Sequence, residues 1–440
     1  MAAQRRKRGG RVTPRGGSAA RLSASEKRGL EEIFAELLRG VRRDLSEDAE
    51  PLLVEMWASH MWSIWQGQYL VEMDAVEVFA GGLIAYAATR NTPNALAVLR
   101  ALASVAPEPY GARARRAADR VAGTGVVEPP WSALVGTAEP TVAWIHFDPV
   151  DDDGVSVMVE FEGLADVHTV GVYIDHNLGG IAKDAFAVPA SIDSVLARLK
   201  ENDEFDPVEC RQISVAEAAA RWREALEMTA RTHEPPVSDD LRELRALLEA
   251  RLRAMPLRGK APAQARIRED DRESLLSEFL ESDETIGLWG VDGDDGSHVE
   301  HLAMQAMTFS LDYVRGTPLR FSPVMVEMFC LDWAPRKIAA DEDAFTMLPD
   351  VLAAWVRFAG RHRGIPEASI TEAVKAAYEY APEMIELARD PANWGAAKTI
   401  GLAVQERGID ITDQAALDDF ITEVNRGGGI DVLANELAKQ

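Results

Sequence analysis

One stretch of the chain alternates apolar and polar residues with a period of two. Residues 141–148, 155–161, 168–175 and 181–188 form four short runs separated by Asp- and Gly-rich punctuation. That period predicts strands, and the spacing predicts a four-stranded antiparallel meander. Side chains alternate along a strand, so Val155, Val157, Val159 and Phe161 share one face, with Ser156, Met158 and Glu160 on the other. Asp151-Asp152-Asp153-Gly154 closes the first hairpin and Asn177-Leu178-Gly179-Gly180 the third.

Elsewhere the helical period dominates. Ser23 and Glu26 form a capping-box pattern ahead of Leu30, Ile33, Phe34 and Leu37. Further helices are expected at 47–66, 74–89, 93–105 and 110–123. Ser191 reads as the cap of a helix carrying Ile192, Val195, Leu196 and Leu199 on one stripe. A short strand near Cys210–Ile213 and a helix from Val215 to about Arg231 follow. Leu241, Leu244, Leu247, Leu248 and Leu252 mark an amphipathic helix. Beyond it, helices are expected at 270–282, 298–313, 322–331, 347–360, 370–388 and 413–424, with Gly427–Gly429 ending one of the last. The fold class is therefore mostly α with an inserted α+β module. The expected organisation is a disordered basic tail (1–22), a helical domain (23–135), the meander module (136–231), a linker with one amphipathic helix (232–268) and a second helical domain (269–440).

Charge changes the picture at the N-terminus. Residues 1–28 carry a net charge of about +8 in a chain of −25, which leaves about −33 on the remainder. An acidic body repels nucleic acid, so contact with a polyanion is expected only through the arm, with Arg5, Arg6, Lys7, Arg8, Arg11 and Arg15 as candidates. The two cysteines, Cys210 and Cys330, build no disulfide framework, which favours a reducing, cytoplasmic location. No apolar run reaches the roughly 18 residues of a membrane span, and no secretory core follows the basic start. Neither a membrane association nor a cofactor is expected.

The densest polar constellation lies in the meander. His168, Asp175, His176 and Asp184 are the candidate ligand or metal residues, accompanied by His146, Asp148 and Asp151–Asp153. Histidine with carboxylate can hold a divalent metal and activate water. The plainer reading is hydrogen bonding at turns and strand ends, because Asp175 and His176 are adjacent and the triple Asp sits where a turn favours it. A second cluster comprises Asp292, Asp294, Asp295, His298, Glu300 and His301. It lacks the His-Glu-x-x-His spacing and reads as a capping loop before a helix near Ser297. Trp57, Trp62 and Trp65 with Met56 and Met61 read as core, and Leu331–Lys337 as a helix end followed by basic residues. The sequence contains no phosphate-binding loop, no strand-linked Gly-x-Gly-x-x-Gly, no Gly-x-Ser-x-Gly and no Cys-x-x-Cys.

Three stretches carry a resemblance. They are 95–103 leading to Pro129-Pro130-Trp131, 168–180 continuing through Lys183-Asp184, and 331–337 with 348–355. Over most of 25–425 the chain resembles a family of actinobacterial proteins with no assigned activity, so the resemblance implies no catalytic residues. The functional expectation is a non-enzymatic interaction or regulatory protein whose arm engages a protein partner. The alternatives are a metal-dependent hydrolase or a small-molecule-binding protein using the meander cluster.

Overall fold

A computed structural model describes residues 23–65, 69–70, 73–202, 208–262, 267–288, 297–314, 316–339, 342–409, 413–426 and 429–437. The chain divides into two compact units. One takes 1–139, 162–167 and 242–254; the other takes 140–161, 168–241 and 255–440. The meander and the C-terminal helices thus fall in one unit. Within the stretch expected as a linker, 242–254 belongs to the other.

The first unit is helical, with α1 (Ala24–Gly40), α2 (Pro51–Trp65), α3 (Gly82–Ala87), α4 (Pro93–Val105) and α5 (Tyr110–Ala122). Ser23 makes the expected capping box with Glu26. The helix expected at 74–89 is less regular. A two-residue ladder, β1 (Tyr69–Leu70) with β2 (Met73–Asp74), precedes a π-helical turn at Glu77–Gly81 that runs into α3. Trp62 and Trp65 are buried, and Trp62 meets Tyr110 edge-on with centroids 5.3 Å apart, so these aromatics are core.

In the second unit, β3 (Glu139–Phe147), β4 (Gly154–Glu162), β5 (His168–Asp175) and β6 (Ile181–Val188) form the meander. The sheet has five strands rather than four. After α6 (Ile192–Asn202), β7 (Glu209–Ile213) adds antiparallel to the free edge of β3, giving the order β6-β5-β4-β3-β7. Its side chains are exposed or half-buried. An edge strand of that kind has too weak an apolar alternation to announce its place in the sheet.

Both faces of the sheet are covered. Met158 lies on the face opposite Val157, and it too is buried, packed with Ile192, Val195 and Leu196 of α6. In register, Met158 pairs with Gly171 and Gly171 with Phe186. A Cβ at Gly171 would strike the Phe186 ring, so the glycine makes room for it. Helix α7 (Val215–Arg231) packs on β6, and its buried Trp222 donates from Nε1 to the Val157 carbonyl at 3.0 Å.

Helix α8 (Asp239–Ala254) serves the first unit through Arg251. That guanidinium donates to Glu55 Oε2 at 2.5 Å, while Glu55 Oε1 accepts from the Gly136 amide at 2.6 Å. Glu55 has no solvent exposure. The remaining helices are α9 (Glu269–Leu280), α10 (Ser297–Thr308), α11 (Pro323–Met328), α12 (Ala334–Lys337), α13 (Glu342–Arg363), α14 (Glu367–Glu379), α15 (Ala381–Arg389), α16 (Ala396–Glu406), α17 (Gln414–Arg426) and α18 (Ile430–Leu437). The single helix expected at 370–388 is two, broken at Tyr380, with Pro382 in the first turn of α15. Helices α10 and α11 each run on into a π-helical turn, Phe309–Tyr313 and Phe329–Trp333. A large core spans α9–α15, and a separate small one gathers Ala403, Val404, Phe420, Val424 and Leu433 from α16–α18.

Candidate functional site at the hairpin ends

Meander topology brings the loop before β4 and the turn after β5 to the same end of the sheet, because Gly154 pairs with Asp175. The loop is shaped by Asp148, whose carboxylate accepts from the Val150 amide at 2.7 Å and whose carbonyl accepts from Asp152 N. Asp152 adopts a left-handed conformation with φ +53°, a region Asp tolerates better than most residues. The turn docks on it. His176 N donates to Asp153 O at 2.9 Å, and His176 Nδ1 lies 3.0 Å from Asp152 O and 3.1 Å from Asp152 Oδ1. Asn177 Nδ2 donates to Asp153 Oδ1 at 2.8 Å.

Residues from the helical part of the same unit complete the cluster. Arg320, 2% exposed, donates from Nη1 to Asn177 Oδ1 at 2.8 Å, to Asp152 O at 3.0 Å and to Asp153 Oδ1 at 3.3 Å. Ser322 is the N-cap of α11, accepting from Met325 N at 3.1 Å while donating to Asp153 Oδ1 at 2.6 Å. Arg363, at the end of α13, donates to Val150 O at 3.2 Å. Among the described residues, Arg320 Nη2 and Ser310 Oγ are buried polar atoms with no hydrogen-bond partner.

The electrostatics follow from burial among like charges. Burial, then repulsion from Asp153, Asp148 and Glu372, pushes the Asp151 carboxyl up to about 6, against the pull of Arg363. Asp153 is also raised by burial, against hydrogen bonds from Ser322 and Asn177. Burial acts the same way on Asp152, but the His176 hydrogen bond together with the charges of His176, Arg320 and Arg363 outweighs it, and the carboxyl is held low. Burial lowers Arg320, opposed by Asp153 and Asp152.

The four sequence candidates do not converge. Asp175 and His176 join the cluster's edge. Asp175 is buried and accepts from Lys183 Nζ at 2.7 Å and from Leu178 N at 3.1 Å. His168 begins the same strand, so seven residues of extended chain, about 23 Å, separate it from Asp175. It is 1% exposed and stacked on Phe161, centroids 5.6 Å apart. Asp184 is exposed and accepts from Ser238 Oγ at 2.5 Å, fixing the cap of α8. Among the described residues, no group of three or more His, Cys, Asp or Glu is placed to hold a metal ion.

His298 and His301 share a face of α10, and the second's imidazole is lowered by burial and by the first. Asp292, Asp294 and Asp295 lie outside the described residues, as do Arg5, Arg6, Lys7, Arg8, Arg11 and Arg15. Sequence reasoning missed Arg320 and Arg363. Ser322-Pro323 did carry a signal, a cap followed by proline at the first helical position. Among the described residues, no helix is long and apolar enough to cross a membrane. Comparison of the chain with protein-family profiles, curated proteins and solved structures gives no match.

Proposed function

We propose that this chain is a non-enzymatic interaction or regulatory protein of the cytoplasm, within the actinobacterial family it resembles. Its basic arm would engage an acidic protein partner or another polyanion. The observation that carries this reading is the use made of the polar constellation. Asp152, Asp153, His176 and Asn177 spend their hydrogen bonds on one another and on Arg320 and Ser322, fastening the hairpin ends to the helical layer. Side chains that could have done chemistry act as a clamp, and the arm is left as the element with a clear means of recognition.

The test is capture of partners from the native host with the tagged full chain and with a version lacking 1–22. A stoichiometric partner lost from the truncated chain, and lost from the full chain as salt rises, supports the reading. The same capture by both versions removes the arm from it.

A second reading, a small-molecule-binding protein, is favoured by the donor at Arg320 Nη2, which has no partner among the described residues. A ligand presenting an acceptor there would raise the melting temperature of the wild type and leave Arg320→Lys unmoved. A panel of carboxylates and phosphates that shifts neither protein removes this reading.

A further inference from the structure

Lys398 is 2% exposed, and among the described residues no carboxylate pairs with it. Its Nζ donates to the Pro335 carbonyl at 2.8 Å and to the Ala388 carbonyl at 3.3 Å. The same nitrogen stands 4.9 Å from the centroid of the Phe345 ring and 5.2 Å from that of Trp394. Each contact has a physical reason. Pro335 lies in α12 and Ala388 is the next-to-last residue of α15, where carbonyls have no partner within the helix and the helix dipole favours a cation. Aromatic faces attract an ammonium through the ring quadrupole. Two carbonyls and two rings therefore make a receptacle for a primary ammonium.

The receptacle and its occupant belong to different packing groups. Phe345, Ala334 and Ala388 are part of the large helical core. Lys398 is carried on α16, whose apolar side packs into the small core with α17 and α18. The walls are held without help from the lysine. Trp394 Nε1 donates to Ala388 O at 2.7 Å, and Gly395 N donates to Arg336 O at 3.0 Å. Burial lowers the Lys398 amine to about 8, so the ammonium gives up water for these four contacts alone.

We propose that Pro335 O, Ala388 O, Phe345 and Trp394 form a binding site for a primary alkylammonium group, such as a lysine side chain of a partner. In this structure the chain's own Lys398 fills it, and an external alkylammonium can take its place.

Truncation of Lys398 to alanine removes a propylammonium's worth of atoms, so n-propylammonium is the probe. The full-length K398A variant should melt below the wild type. Propylammonium chloride should restore part of the loss saturably, where sodium chloride at equal ionic strength and neutral 1-propanol do not. K398M, which fills the space with an uncharged chain, should not respond. Equal effects of propylammonium and sodium chloride on K398A, or equal responses of K398A and K398M, overturn the proposal.

A measurement on the wild type stands whether or not K398A folds. Acylation of Lys398 by an amine-reactive ester, read by peptide mass spectrometry, should be many-fold slower than that of exposed Lys375. Propylamine also consumes the ester, so the reading is the ratio of Lys398 to Lys375 acylation; propylammonium should raise that ratio several-fold, and sodium chloride should not. A Lys398 to Lys375 ratio that propylammonium leaves unchanged overturns the proposal by itself.

Discussion

Single residues at the hairpin ends work against their own charge. Asp151 sits at about 6 in the folded chain, above its ordinary 3.8, because burial and three neighbouring carboxylates disfavour its ionised form. Between those two values the folded state holds a proton that the unfolded state has released. Its contribution is therefore full below about 4 and is lost as pH rises through 6. Asp151→Asn should raise the melting temperature by a few degrees at pH 7.5, and the gain should shrink towards zero by pH 4. A gain independent of pH would show that ionisation is not its cause.

Glu55 is the opposite case, a buried carboxylate answered by Arg251 and the Gly136 amide. Removing one partner of such a pair leaves a buried charge, at a cost of about 3–5 kcal/mol. Glu55→Gln should show a loss of that size in denaturant unfolding. Neither partner of Glu55 was legible in the sequence, because a long-range partner has no local signal. The triple Asp was legible as a turn, since its reason for being there is local. The clamp it forms was not, because Arg320 sits 167 residues from Asp153.

Elements were legible where their cause lies within a few residues. Ser23 with Glu26, Thr92 with Pro93 and Ser214 each cap a helix whose start the sequence marks. The meander could be read because a period of two is written along each strand. The two-residue ladder of β1 and β2 is too short to write any period, and β7, which the sequence marks as a short strand near Cys210–Ile213, is too exposed to show that it joins the sheet. The packing of the sheet face needs a third dimension. Gly171 reads as an isolated glycine in a strand, and only the register with Phe186 gives its reason. Gly171→Ala should cost about 1–3 kcal/mol through overpacking. Phe186→Leu in the same chain should recover part of that loss, because it shortens the ring the methyl group meets. A double-mutant cycle with zero coupling would show that the glycine is there for another reason.

At the scale of the molecule, the division into two units bears on how the chain loses its structure. Each unit has its own buried fastening, the Glu55–Arg251 pair in one and the Gly171–Phe186 packing in the other. Chains with more than one compact unit need not unfold in a single step, and local stability can differ between cooperative blocks. Hydrogen exchange read by mass spectrometry assigns the loss to its block. Glu55→Gln should raise exchange in peptides from 51–65 and 242–254 and leave those from 154–161 and 168–188 at the wild-type rate. Gly171→Ala should do the reverse. If either substitution speeds exchange equally in both sets, the units share one unfolding transition. The charge of about −33 beyond residue 28 would then act on a single cooperative body rather than on two.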